Sequence, residues 1–295
     1  MHRRSILGHS TVLFVIALLF SHFTATPAPA ADGDPASPVQ ELLQAGDFSG
    51  ALQLYADAVR VAPDNQELRQ RHAILRQVTA LRELLGKEHD ASRWEQAAGA
   101  LRAFYWDEGL LRESLVLDTR WHQRDASAET AARLAKTQLE LGMNAEAETT
   151  LAGMIEDQSP IELRLLYGIA LARQSRIEPA RAVLASLSLS DGTAPEPRYH
   201  LARLQALAGE REAAQQSLTQ VLAATAPSQQ AALRDRAKAC PDFSVLAETT
   251  TFAQVLATKS QIKESSCSTG KTCGGCPRAT ACSGASKTKA LGTDD

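Results

Sequence analysis

Three turn positions, Gly142, Ser175 and Gly209, are each followed at the same offsets by the same kinds of residue. Ala147, Leu151 and Met154 follow the first, Ala180, Leu184 and Leu187 the second, and Ala214, Leu218 and Val221 the third. The turns are 33 and then 34 residues apart. A small residue and two larger apolar ones at helical offsets make one buried stripe. A unit of this length cannot bury that stripe alone and must stack on its neighbours. Matched residues also precede each turn: Leu134-Ala135, Tyr167-Gly168 and Leu201-Ala202. Each unit is therefore a helix, a turn and a second helix. Aromatics make up only 5% of the chain while Ala, Leu, Gln, Arg and Glu abound, which favours helix over strand because these side chains lose little rotamer freedom in a helix. The expected fold class is all-α.

A fuller version of the pattern opens the helical body. Gly46-Asp47-Phe48 is followed by Ala51, Tyr55, Ala58 and Pro63. Gly46 permits the tight turn, the alanines let paired helices approach, Tyr55 fills the space between units, and Pro63 stands where the helix must stop. With these residues, the chain resembles the tetratricopeptide-repeat (TPR) family over most of residues 38–226. The resemblance implies a TPR-like α-solenoid of antiparallel helix pairs, whose first helices line a concave groove that holds a protein or peptide partner. Carried over position by position, the groove candidates are Lys136, Glu140, Ile169, Arg173, Tyr199 and Arg203. Family members that clamp a C-terminal carboxylate place an Asn where this chain has Lys136, Ile169 and Arg203, so that clamp is not reproduced. The mixed lining suits an acidic or amphipathic segment.

Between residues 65 and 128 the register weakens. Helices are expected over residues 66–85, 92–104 and 108–122, with Trp94, Ala97, Leu101 and Phe104 spaced as a second helix. The cluster Phe104-Tyr105-Trp106 with Trp121 is expected to fill an irregular core rather than form an exposed patch, since large aromatics supply the volume irregular packing needs.

The ends differ from the body. Basic residues, a short apolar run from Thr11 to Phe20 and the small residues Ala28-Pro29-Ala30 form an expected signal peptide over residues 1–30, with a linker at 31–37. The apolar run is too short to span a bilayer, so no membrane anchor is expected after cleavage. Arg3-Arg4 is compatible with general secretion or with the twin-arginine route. The expected location is periplasmic or secreted. Residues 227–264 are expected to be helices capping the solenoid, and 265–295 form a short Cys-rich tail.

In that tail Cys267, Cys273, Cys276 and Cys282 make a C-x5-C-x2-C-x5-C array with no apolar core around it. Such a segment needs cross-links to offset its chain entropy. Two disulfides, four thiolates on Zn or an iron–sulfur cluster, and a redox-active Cys273/Cys276 pair all fit the spacing. The array is also somewhat similar to the cysteine loop of small proteins of bacterial ferrous-iron uptake, although the spacing differs by a residue. Cys240 lies outside it and is expected to be a buried free thiol.

Several chemistries have no sequence support. The net charge is -3, so no basic excess is available for nucleic acid. His72, His89, His122 and His200 show no metal-ligand spacing, and no nucleophile motif is marked. The function expected is an exported scaffold or adaptor that binds another envelope protein in the assembly or maturation of a complex. The alternative is a metal-binding or thiol-redox protein acting through the Cys array.

Overall fold

In the computed structural model the described residues are 36–156, 158–188, 194–247 and 249–262, and every regular element among them is a helix. The expected signal peptide and the four tail cysteines lie outside the described residues.

Helix α1 (Ala36–Gln44) leads into α2 (Phe48–Val61), a long α3 (Gln66–Lys87), then α4 (Ala91–Asp107) and α5 (Leu111–Arg124). The regular series follows: α6 (Ala128–Glu140) with α7 (Asn144–Ala152), α8 (Ile161–Arg173) with α9 (Ile177–Ala185), and α10 (Pro195–Leu207) with α11 (Arg211–Ala224). Helix α12 (Pro227–Ala239), a 3-10 turn (Pro241–Phe243), and the short α13 (Ser244–Ala247) and α14 (Thr250–Leu256) close the described chain. Side chains set several of the starts. Asp47, Asn65, Asp90 and Ser127 each accept a hydrogen bond from the backbone N–H three residues on, satisfying a donor that the first helical turn leaves free.

Five turns share one hydrogen-bond pattern. The N–H of Gly46, Gly109, Gly142, Ser175 or Gly209 donates to the carbonyl three residues back, and the next N–H donates to the carbonyl five residues before it. This is the Schellman cap, which requires a left-handed residue. All five have positive φ, from 62° at Ser175 to 86° at Gly209. Gly109 supplies the turn missing from the sequence reading and sets the register there. Trp94, Ala97, Leu101 and Phe104 therefore lie on α4, the first helix of a pair, and not on a second helix. The second helix is α5.

The interior follows the turns. Five residues after each turn stand Ala51, Ala147, Ala180 and Ala214, all 0% exposed, and after Gly109 stands Ser114, equally buried. The helices pack in chain order, and in addition α8 packs against both α6 and α10, so three first helices lie side by side. Gly168 sits at the closest approach of α8 to α10: a Cβ there would lie 2.7 Å from Cδ2 of Leu204. The core around α1–α5 is aromatic, with Phe48, Tyr55, Trp94, Phe104, Tyr105 and Trp121 buried, whereas that around α6–α9 is built of Ala, Leu and Ile. The aromatic cluster thus fills the irregular core, with Trp106 half-buried beside it.

Residues 240–262 fold back over the end of the stack. Phe243, Leu246, Phe252, Val255 and Leu256 are buried with Tyr199, Ala202 and Leu218. Arg234 donates to the carbonyls of Leu256 and Thr258, and the N–H of Gln261 to the carbonyl of Ala223. Cys240 is a half-buried free thiol whose burial pushes its pKa up.

Candidate functional site

The six groove candidates occupy repeating places on the first helices. Lys136, Ile169 and Arg203 each lie six residues before a turn, and Glu140 and Arg173 two residues before one. Because α6, α8 and α10 lie side by side, these residues come together. They do not line an open groove, however. Ile169, Tyr199 and Arg203 are at most 1% exposed, and the chain's own Asp242 and Phe243 lie against Arg203 and Tyr199.

Asp242 is the hub. Arg173 reaches it through Nε at 2.7 Å and Nη2 at 3.1 Å, one to each carboxylate oxygen, while Nε of Arg203 donates to Oδ2 at 2.7 Å. Nη1 of Arg203 donates to Glu140 at 2.9 Å. The ring of Phe243 meets Tyr199 edge-on at 5.7 Å, and Arg236 covers Tyr199 with its guanidinium 4.3 Å from the ring centre. One buried and one half-buried arginine are held by one buried aspartate and one half-buried glutamate, an arrangement stable only while each charge keeps its partner. Nη2 of Arg203 is buried with no hydrogen-bond partner.

Beside this hub lies a second set. Glu196 accepts from Lys136 at 2.5 Å and from both terminal nitrogens of Arg236 at 2.9 and 3.0 Å. Burial alone would raise its carboxyl, but these cations hold it well below the usual carboxylate range. His200 is fully buried, with Nδ1 3.5 Å from Nη1 of Arg203 and Nε2 3.5 Å from Glu196. Arginine can only donate, so Nδ1 is an acceptor and the ring carries its proton on Nε2. Burial first, and then the positive charge of Arg203, push the His200 pKa well below the ordinary histidine range.

The face remains open toward the N-terminal side. Arg102, Ala132, Arg133, Lys136, Glu162 and Leu163, among others on α4, α6 and α8, line a cavity of about 440 Å3. Its cations are engaged: Arg133 with Glu129, Lys136 with Glu196, and Arg102 with Asp118. Arg102 and Lys136 also lie 5.0 and 5.1 Å from the centre of the Trp106 ring.

Asp118 belongs to a cluster that the sequence reading missed. It is 1% exposed and accepts from Arg102 at 2.8 and 3.2 Å, from the Thr137 hydroxyl at 2.6 Å and from Ser114 at 3.3 Å. Trp106 Nε1 donates to Ser114. Burial raises the Asp118 carboxyl despite these partners. The signal was in the sequence once Gly109 is taken as the turn. Arg102, Ser114 and Asp118 stand where the α6–α7 pair has Ala135, Ala147 and Leu151.

Among the described residues, no group of three or more His, Cys, Asp and Glu side chains could hold a metal, and no helix is long and apolar enough to cross a membrane. No family model and no curated protein matches the sequence.

Proposed function

We propose that this protein is an exported TPR-type solenoid that serves as a scaffold or adaptor for another envelope protein, in the periplasm or outside the cell. The observation that carries the reading is the recurrence of one Schellman cap at five turns, four of them, Gly109, Gly142, Ser175 and Gly209, at the 33–34-residue step, with α6, α8 and α10 side by side. That geometry offers a continuous face of first helices, the surface on which helical-repeat proteins hold their partners. The cavity between α4, α6 and α8 is its open part.

Site-specific photo-crosslinking in cells tests this. A crosslinking amino acid at Arg133 or Glu162 should trap one discrete envelope protein, and the same group at Glu212, exposed on α11, should not. Equal labelling from all three positions would refute a groove. N-terminal sequencing of the exported form should begin near Ala31.

A second reading rests on the spaced array of Cys267, Cys273, Cys276 and Cys282, in which the tail is the working part and the helices dock its client. Metal content and thiol titration of protein purified from its own compartment separate the two. Bound metal with no disulfide favours ligation, and two disulfides without metal leave the helices as the working surface.

A further inference from the structure

Arg173 and Arg203 project from two successive first helices onto a single carboxylate, and that carboxylate comes from a turn of the same chain. The turn is short, Cys240–Phe243, and is followed by helices of only four and seven residues. Asp242 does not saturate its site: Nη2 of Arg203, on a side chain 1% exposed, has no partner. A buried guanidinium donor left idle is a cost that a better-fitting acceptor removes. The neighbouring slot, against Tyr199, holds the aromatic ring of the very next residue, Phe243.

We infer that Arg173, Arg203 and Tyr199 form a recognition site for a partner segment in which a carboxylate residue is followed by an aromatic one, and that Cys240–Phe243 occupies this site in the resting chain as a tethered stand-in. The inference rests on the scaffold reading and names the chemistry of its partner. The partner enters by exchange: Asp242 leaves, the incoming carboxylate takes both arginines, and its aromatic neighbour replaces Phe243. A tethered occupant has a high effective concentration, so the resting site is mostly closed.

The experiment uses the full mature chain and a labelled peptide of residues 239–246 carrying Cys240→Ser, read by fluorescence anisotropy. The wild-type chain should bind it weakly. The Asp242→Asn chain, whose own occupant has lost its charge, should bind it at least about tenfold tighter, since apparent affinity scales with the fraction of open sites. The same peptide with Asp242→Ala should bind neither chain. Equal affinity for both chains, or none for either, overturns the inference. Phe243→Ala is the second chain variant, opening the aromatic slot while keeping Asp242. If neither variant folds by circular dichroism, the turn is an obligatory part of the core and the inference falls. A dimer in which two copies exchange these segments also overturns it, because the occupant is then a second copy. If the peptide fails while Arg133 still crosslinks a partner, the scaffold reading stands without this site. If both fail, both fall.

Discussion

The α4–α5 pair and the α6–α7 pair share one turn and have different interiors. Both turn through a left-handed glycine with the same two hydrogen bonds, Gly109 in one and Gly142 in the other. At the three matched positions the second pair buries Ala135, Ala147 and Leu151, and the first joins half-buried Arg102 to buried Ser114 and Asp118 in an ionic cluster. The difference teaches that the left-handed turn residue sets how the two helices of a pair meet, while the filling of the interface is negotiable. It is negotiable only as a set, because a buried carboxylate needs all its donors together.

The largest effect should come from breaking that set. Asp118→Leu alone should cost about 3–5 kcal/mol in chemical denaturation, leaving Arg102 and Thr137 without their acceptor. Adding Arg102→Ala and Ser114→Ala, which makes the α4–α5 interface resemble its regular neighbour, should recover most of the loss. A triple variant no more stable than the single one would show that the two interfaces are not equivalent. Next in size is the regular interface itself. Ala180→Trp should lower stability by about 1–3 kcal/mol through overpacking, while the same change at exposed Glu212 stays within about 0.5 kcal/mol.

Acid should separate the regions by sign. His200 has a lowered folded pKa, so the unfolded chain takes up its proton first. The stability this group contributes is full above the ordinary histidine value and is lost as pH falls below it. The slope can reach about 1.4 kcal/mol per pH unit. The groups facing His200 are Arg203, Glu196, Lys136 and Arg236, and Glu196, with its lowered carboxyl, gives way only in stronger acid. Asp118, whose folded pKa is raised, acts in the opposite direction and gains from protonation. Melting temperatures between pH 7 and 5 should therefore fall in the wild type and flatten in His200→Gln. A slope unchanged by that substitution assigns the acid response elsewhere. The smallest effect concerns the turns: Ser175→Gly should stabilise by about 0.5–1 kcal/mol, since only glycine adopts positive φ without strain.

Much of the fold was legible because the Schellman cap demands a left-handed residue and the stripe behind it demands small ones. Gly46, Gly142 and Gly209 meet both conditions, and Ser175 is marked by its spacing and by Ala180, Leu184 and Leu187 behind it. Gly109 is masked because Arg102, Ser114 and Asp118 hide the small-and-apolar pattern, and no local rule says that polar residues on two different helices will satisfy one another. The groove candidates were legible as a face, since helical periodicity places Lys136, Ile169 and Arg203 in one row. Their occupant was not. Asp242 meets Arg173 and Arg203 across 69 and 39 residues of sequence.

By itself, then, the sequence determined the all-helical class, the step of the turns and the residues presented by α6, α8 and α10, because each follows from backbone preference and periodicity within about a dozen residues. Tertiary structure alone decided what those residues touch. Whether an arginine on a helix face meets solvent, a partner or the chain's own aspartate depends on where a segment dozens of residues away folds back. Here the burial of Phe243, Leu246 and Phe252 draws residues 240–262 onto α10 and α11, and Asp242 is carried with them into the arginines.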